Sequence, residues 1–163
     1  MIKPHGSDQL NPLFVMDDAK RAALQKEAES LPSILGSSAA AANAVMMGGG
    51  YFNPLTGYMK KADAISVAEK MTTTGGLFFP VPILCMVQDA SAVKDAKRIA
   101  LKDPNVEGNP AIAIIDVEEI AEYTDDEMKM MTEQIFRTLD ENHPGVQAFN
   151  SVGKVGIAGS IQL

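Results

Sequence analysis

The residue types that could carry chemistry are few and scattered in this chain. Two histidines, His5 and His143, lie near opposite ends of the sequence, and no cysteine or carboxylate cluster surrounds His5. A metal site needs several such donors converging on one point, so His5 is expected to make a local loop hydrogen bond. The single cysteine, Cys85, sits in the apolar run Ile83-Leu84-Cys85-Met86-Val87. A reactive thiolate needs an electropositive, partly exposed setting, so a buried and inert thiol is expected. The triplet Gly48-Gly49-Gly50 has the composition of a phosphate cradle. Such loops follow a strand and open a helix, whereas these glycines close an alanine-rich helical pattern, and no Lys-Ser/Thr follows them. The adjacent carboxylates Glu118-Glu119 and Asp125-Asp126 read as solvation and capping. The ten methionines read as core filling, because a soft-metal site would need them to converge with Cys or His. The sequence therefore predicts no catalytic residue, no cofactor site and no metal site.

What stands out instead is the turn that the glycines lead into. Tyr51, Phe52, Leu55 and Tyr58 are crowded into a short non-helical stretch with Pro54 and Gly57, in a chain only 6% aromatic. That much apolar bulk has to bury itself, in its own domain or against a partner. These six residues are the candidate structural or docking turn. If it plugs the domain, Phe52 and Leu55 are buried, one tyrosine stays at the surface, and Phe52→Ala costs about 3–5 kcal/mol. If it docks, the four large side chains form one exposed patch of the kind soluble monomers rarely tolerate. The plug is the expectation for Phe52 and Leu55.

The elements around the turn follow from periodicity and capping. Asp17 to Leu31 predicts a helix with Leu24, Ala28 and Leu31 inward, stopped by Pro32. Ser33-Ile34-Leu35 suits a short strand or a linker. Ser37 or Ser38 caps a helix over Ala39 to Met47. Ala62 to Met71 predicts another, with Ala64, Val67, Ala68 and Met71 inward. Strands are expected near 83–87, 97–102, 111–117 and 154–162, with the second and third forming a hairpin. Lys97 to Lys102 alternates as a half-exposed strand should. Thr124-Asp125-Asp126-Glu127 is a capping box opening a helix to about Leu139, with Met128, Met131 and Ile135 inward. His143-Pro144-Gly145 starts a last short helix.

At 163 residues the chain fits one domain. Its net charge of −7 and pI near 4.8 weigh against nucleic acid and anionic membranes, which call for clustered Lys and Arg. Adjacent basic residues occur only as pairs, such as Lys60-Lys61 and Lys97-Arg98, and no pair grows into a longer basic run. No secretory h-region interrupts the polar start, so the cytoplasm is the default expectation.

Five segments in register resemble one family. Gly50-Tyr51-Phe52-Asn53-Pro54-Leu55-Thr56-Gly57-Tyr58-Met59 resembles the G-[FY]-x-P-L-x-G-[FY]-[ML] signature of the N-terminal domain of ATP sulfurylase (sulfate adenylyltransferase). Pro4-His5-Gly6, the run from Gly75 to Ile83, the pair Ile99 to Pro104 with Ala113 to Val117, and His143-Pro144-Gly145-Val146 are similar to further segments in the same order. The resemblance implies an α+β fold, a PUA-like mixed sheet or pseudo-barrel with peripheral helices, as a single domain over 1–163. The family joins sulfate to ATP, giving adenylyl sulfate and pyrophosphate in sulfur metabolism. Its catalytic domain carries Gln-x-Arg-Asn-Pro-x-His and His-x-x-His type stretches, and neither occurs in this chain. The expectation is thus a non-catalytic domain, without the catalytic domain, that makes no adenylyl sulfate alone. Its expected partner is the ATP sulfurylase catalytic domain, and a homo-oligomer is compatible with that role. Two other readings are an autonomous PUA-like module for RNA or a small ligand, which a basic groove would favour, and a small adenylyl-transferring enzyme, which would need several basic side chains converging in a pocket.

Overall fold

The computed structural model describes residues 2–163. In chain order the elements are α1 (Asp18–Ser30), β1 (Ser33–Leu35), α2 (Ser38–Gly48), β2 (Gly57–Tyr58), α3 (Lys61–Lys70), β3 (Met86–Val87), β4 (Arg98–Lys102), β5 (Ala111–Glu122), α4 (Asp125–Phe136), α5 (Pro144–Ser151) and β6 (Val155–Gln162). The strands form one six-stranded mixed sheet in the order β1-β4-β5-β6-β2. Only β1 and β4 run parallel. β6 pairs with β5 along its whole length. Its other edge is shared in tandem, with β3 on Val155 and Gly156 and β2 on Gly159 and Ser160. The expected α+β fold with a mixed sheet and peripheral helices is the one observed.

Both faces of the sheet are covered. Ile99 and Leu101 of β4 with Ala113 and Ile115 of β5 face the main core, which α2 closes with Ala40, Ala44 and Met47. The opposite face offers Ala100 and Ile114 to Ala28, Leu24 and Leu31 of α1 and the residue after it. This corrects the reading of β4 as half-exposed: Ala100 is fully buried because α1 lies on it. Arg98 reinforces that contact, donating a hydrogen bond to Glu27 of α1 and forming an ion pair with Asp116 of β5. A third cluster joins Ala64 and Ala68 of α3 to Met128 and Met131 of α4 around Tyr123.

Local signals decide most boundaries. Asp17 caps α1, Ser37 caps α2, and Thr124 and Glu127 form the expected capping box of α4. α4 stops at Phe136, short of Leu139, because Arg137 takes a left-handed conformation. Met71 does the same after α3, which turns its side chain outward instead of inward. β5 continues past Val117 to Glu122 through a bulge between Val117 and Glu119. The carboxylates there are structural: Glu119 accepts from the Lys61 N–H at the start of α3, and Glu118 pairs with Lys60. Only Met86 and Val87 of the expected strand 83–87 join the sheet. Ile83 and Cys85 are buried outside the ladder: their carbonyls accept from the Met59 and Ile157 N–H groups, and the Ile83 N–H donates to the Met59 sulfur; Pro80 and Pro82 just before them lack the N–H a ladder needs.

Candidate docking surface

The turn after α2 is built by close approach. Phe14 lies where a side chain on Gly48 would sit, its ring 2.6 Å from that Cβ position, and the Gly48 carbonyl accepts from the Leu13 and Phe14 N–H groups. The Tyr51 N–H then returns to the Met46 carbonyl. Asn53, which precedes a cis peptide to Pro54, is buried and holds the N-terminal arm. Its Nδ2 donates to the His5 carbonyl and the Ser7 hydroxyl, each at 2.7 Å, and its Oδ1 accepts from the Asn11 N–H at 2.9 Å. At the other end of the turn Gly57 and Tyr58 form β2. The Tyr58 hydroxyl donates to the Ala40 carbonyl at 2.7 Å, locking the turn to α2. Burial, with Cys85 nearby, pushes the Tyr58 phenol well above its ordinary value.

The six turn residues therefore divide. Tyr58 and Gly57 are buried, Phe52, Pro54 and Leu55 are half-buried, and Tyr51 is 76% exposed. Phe52 and Leu55 pack against the main core but keep part of their surface, which corrects the expectation that both are sealed in. The core accepts these two side chains from the rim, because α2 and Tyr58 already fill the space beneath. Phe52→Ala is accordingly expected to cost about 2 kcal/mol, less than a fully buried aromatic. Urea denaturation beside the wild type checks this; a loss under about 1 kcal/mol would take Phe52 out of the core's account.

Tyr51 does not stand alone at the surface. It lines a cleft of about 430 Å³ together with Pro4, His5, Leu10, Phe78 and Val81. Leu10 is 56% and Phe78 53% exposed. The His5 ring bonds the Phe78 carbonyl at 2.7 Å and meets the Phe79 ring edge-on. That bond reaches far along the sequence, where a local one was expected, and it closes the arm over the cleft. No Asp, Glu, Lys or Arg lines the cleft, so it lacks the cationic groups that neutralise phosphates in adenylyl transfer. Asn53 and Phe78 were not singled out from sequence. Nothing local tells which of Phe78 and Phe79 points outward, since that depends on the arm.

The other chemistry-bearing residues are engaged structurally. His143 Nδ1 accepts from Gly145 and Val146 at the start of α5. Cys85 is fully buried, and burial pushes its thiol up to about 12. Three of the four basic residues in the Lys60-Lys61 and Lys97-Arg98 pairs meet acids: Lys60 with Glu118, Lys61 with Glu127, and Arg98 with Glu27 and Asp116. The Lys60 contact raises the lysine's pKa and lowers that of Glu118, through their hydrogen bond first and their charges second. Neither pair widens into the basic groove that an RNA-binding module would need. Among the described residues no helix is long and apolar enough to cross a membrane.

Comparison with known proteins agrees with the motifs. The chain belongs to the PUA-like domain family, whose profile matches residues 2–163. It is 58% identical over 163 residues to the sulfate adenylyltransferase of Alcanivorax borkumensis, a match covering all of this chain and 41% of that protein. The sulfate adenylyltransferase of Allochromatium vinosum is 55% identical with the same coverage. A solved structure described as a hexameric APS kinase from Thiobacillus denitrificans superposes with a TM-score of 0.65 at 26% identity, covering 99% of this chain and 26% of that one. The chain thus spans 41% of the length of these two curated relatives.

Proposed function

We propose that this is a single non-catalytic PUA-like domain of a sulfate adenylyltransferase. The remainder of that protein, a nucleotidyltransferase acting on ATP and sulfate in sulfur metabolism, would seat on the apolar face around Tyr51. The observation that carries this is the exposed, uncharged cleft of Tyr51, Leu10 and Phe78 on a chain of net charge −7, joined to the length its relatives carry beyond the match. Large exposed apolar side chains gathered around one cleft mark interaction sites. Geometry supports the same side of the molecule. The Leu163 carbonyl accepts from the Val15 N–H, next to Phe14 and Gly48, so a chain continuing past Leu163 would leave close to the end of α2. The role is support of the catalytic part and of subunit assembly. A homo-oligomer is compatible with it, given that the structural neighbour is described as hexameric. The cytoplasm, where ATP is held, is the setting this reading implies.

The test is a chimera in which this chain replaces the matching segment of the Alcanivorax borkumensis enzyme. The chimera is expected to form adenylyl sulfate and to unfold as one unit. Tyr51→Glu should leave the isolated chain within about 0.5 kcal/mol of the wild type, since the side chain is exposed. In the chimera it buries an unpaired charge, which costs about 3–5 kcal/mol when a partner is missing, and should split unfolding into two transitions. A chimera whose activity and unfolding ignore Tyr51→Glu would end this reading.

A further inference from the structure

Helix α2 has eleven residues and not one charged side chain, in a chain with 14 basic and 21 acidic residues. Only one stripe of it, Ala40, Ala41, Ala44 and Met47 with the terminal Gly48, is buried. Ala39 and Ala42 on its outer side are exposed, as are Val45 at 46% and Met46 at 38%. A helix at a protein surface ordinarily turns charged and polar residues outward. Beside this face runs an apolar groove of about 640 Å³, floored by Leu84 and Met86 and walled by Ala39 of α2, Phe136 of α4, and Ala148 and Phe149 of α5. No Asp, Glu, Lys or Arg lines it. Two contacts make it continuous with the Tyr51 face. Val81 lines both the groove and the cleft, and the Tyr51 ring lies 2.9 Å from where a Cβ on Gly49 would stand, at the end of α2.

We propose that the outer face of α2 and the groove beside it receive an apolar helix from the part of the longer protein that lies outside the matched segment. This rests on the reading that the remainder of a sulfate adenylyltransferase is the partner. The relatives supply the occupant's source, since more than half of their length lies beyond the match. The absence of charge along both walls fixes its chemistry, because a charged group entering would be desolvated without a counter-ion. Walls from α2, α4 and α5 suit an amphipathic helix laid face down, a recurring mode of recognition. Short side chains at Ala39, Ala42 and Ala148 let it approach at the closer end of ordinary helix packing distances.

Cysteine labelling tests this, since Cys85 is fully buried and silent. Ala42→Cys and Ala148→Cys report on the helix face and the groove, and Tyr51→Cys reports on the cleft; all three positions are exposed. Each variant is treated with a maleimide, in the isolated chain and in the Alcanivorax borkumensis chimera. In the isolated chain all three should label as free surface thiols. In the chimera Ala42→Cys and Ala148→Cys should slow by about tenfold or more, as for sites open a tenth of the time or less. Slowing at Tyr51→Cys alone would overturn the groove proposal while leaving the Tyr51 face as the docking site. Slowing at the groove positions alone would uphold it and move the docking away from Tyr51. No slowing at any position would overturn both. Slowing in the isolated chain that grows with its concentration would assign the groove to a second copy of the chain and overturn the proposal.

Discussion

Gly57→Ala is expected to cost about 4 kcal/mol or more, at the far end of what single substitutions do. β2 is only two residues long, with Gly57 paired to Ser160 of β6 and Tyr58 to Gly159. A Cβ on Gly57 would stand 1.8 Å from the Gly159 carbonyl oxygen and 2.6 Å from its carbon. Backbone, not a flexible side chain, is in the way, so no rotamer change relieves the overlap. Nor can β6 retreat. Gly159 has φ +152°, and a Cβ there would lie 2.0 Å from the Asp116 carbonyl oxygen, beside the bulge in β5. Residues 57, 159 and 116 are thus stacked backbone on backbone. The substituted chain must peel β2 from the sheet, losing the Ile161 N–H bond to the Thr56 carbonyl and the Tyr58 anchor on Ala40. Against a total stability of about 5–15 kcal/mol, that leaves little of the folded state. Urea denaturation of Gly57→Ala beside the wild type measures it. A loss below about 1 kcal/mol would show that the turn can lift off β6 cheaply and that it does not organise this side of the molecule.

Asn53→Ala is expected to cost about 2–3 kcal/mol, from three hydrogen bonds each worth about 1 kcal/mol net. Its effect on the surface is as telling as its effect on stability. Asn53 is the only described side chain that bonds the arm at three points, His5, Ser7 and Asn11. Those residues carry Pro4, His5 and Leu10 to the cleft beside Tyr51. Hydrogen exchange of the arm is the direct readout: the Asn11 amide should lose its protection in Asn53→Ala. Asn53→Asp separates the bonds, since a carboxylate still accepts from the Asn11 N–H but cannot donate to the His5 carbonyl or the Ser7 hydroxyl. It should keep an acceptor for the Asn11 N–H yet cost more than Asn53→Ala, because the buried carboxylate faces the His5 carbonyl without a counter-ion. Unchanged exchange of the Asn11 amide in Asn53→Ala would mean that Leu13, Phe14 and His5 hold the arm without it.

Together the two substitutions separate what the turn does for the fold from what it presents to a partner. Gly57 and Tyr58 belong to the sheet. Phe52 and Leu55 pad the core from its rim. Asn53 and Tyr51 shape the surface, the first by holding the arm and the second by standing out from it. A residue-by-residue answer thus replaces the choice between plug and docking face, because a short turn at the edge of a core has an inner and an outer side.

Sequence alone determined the local and periodic features. The caps at Asp17, Ser37 and Thr124 and the pairing of β4 with β5 depend on neighbours a few residues apart or on simple alternation. The buried Cys85 was also legible, because it sits inside a continuous apolar run. The motifs near residues 4–6, 50–59, 75–83 and 143–146 were enough to indicate the family. Tertiary structure alone decided the rest. Ala100 is buried because α1 crosses it, and Met71 turns outward because α3 ends in a left-handed residue. β5 runs past Val117 because β6 continues to pair with it. The exposed face joins Leu10, Tyr51 and Phe78 from three separate stretches, brought together by Asn53 and His5 over separations of 42 to 73 residues. Local preference carries no term for such distances. Which apolar side chains of a turn face water is settled only when the rest of the chain has taken the space beneath them.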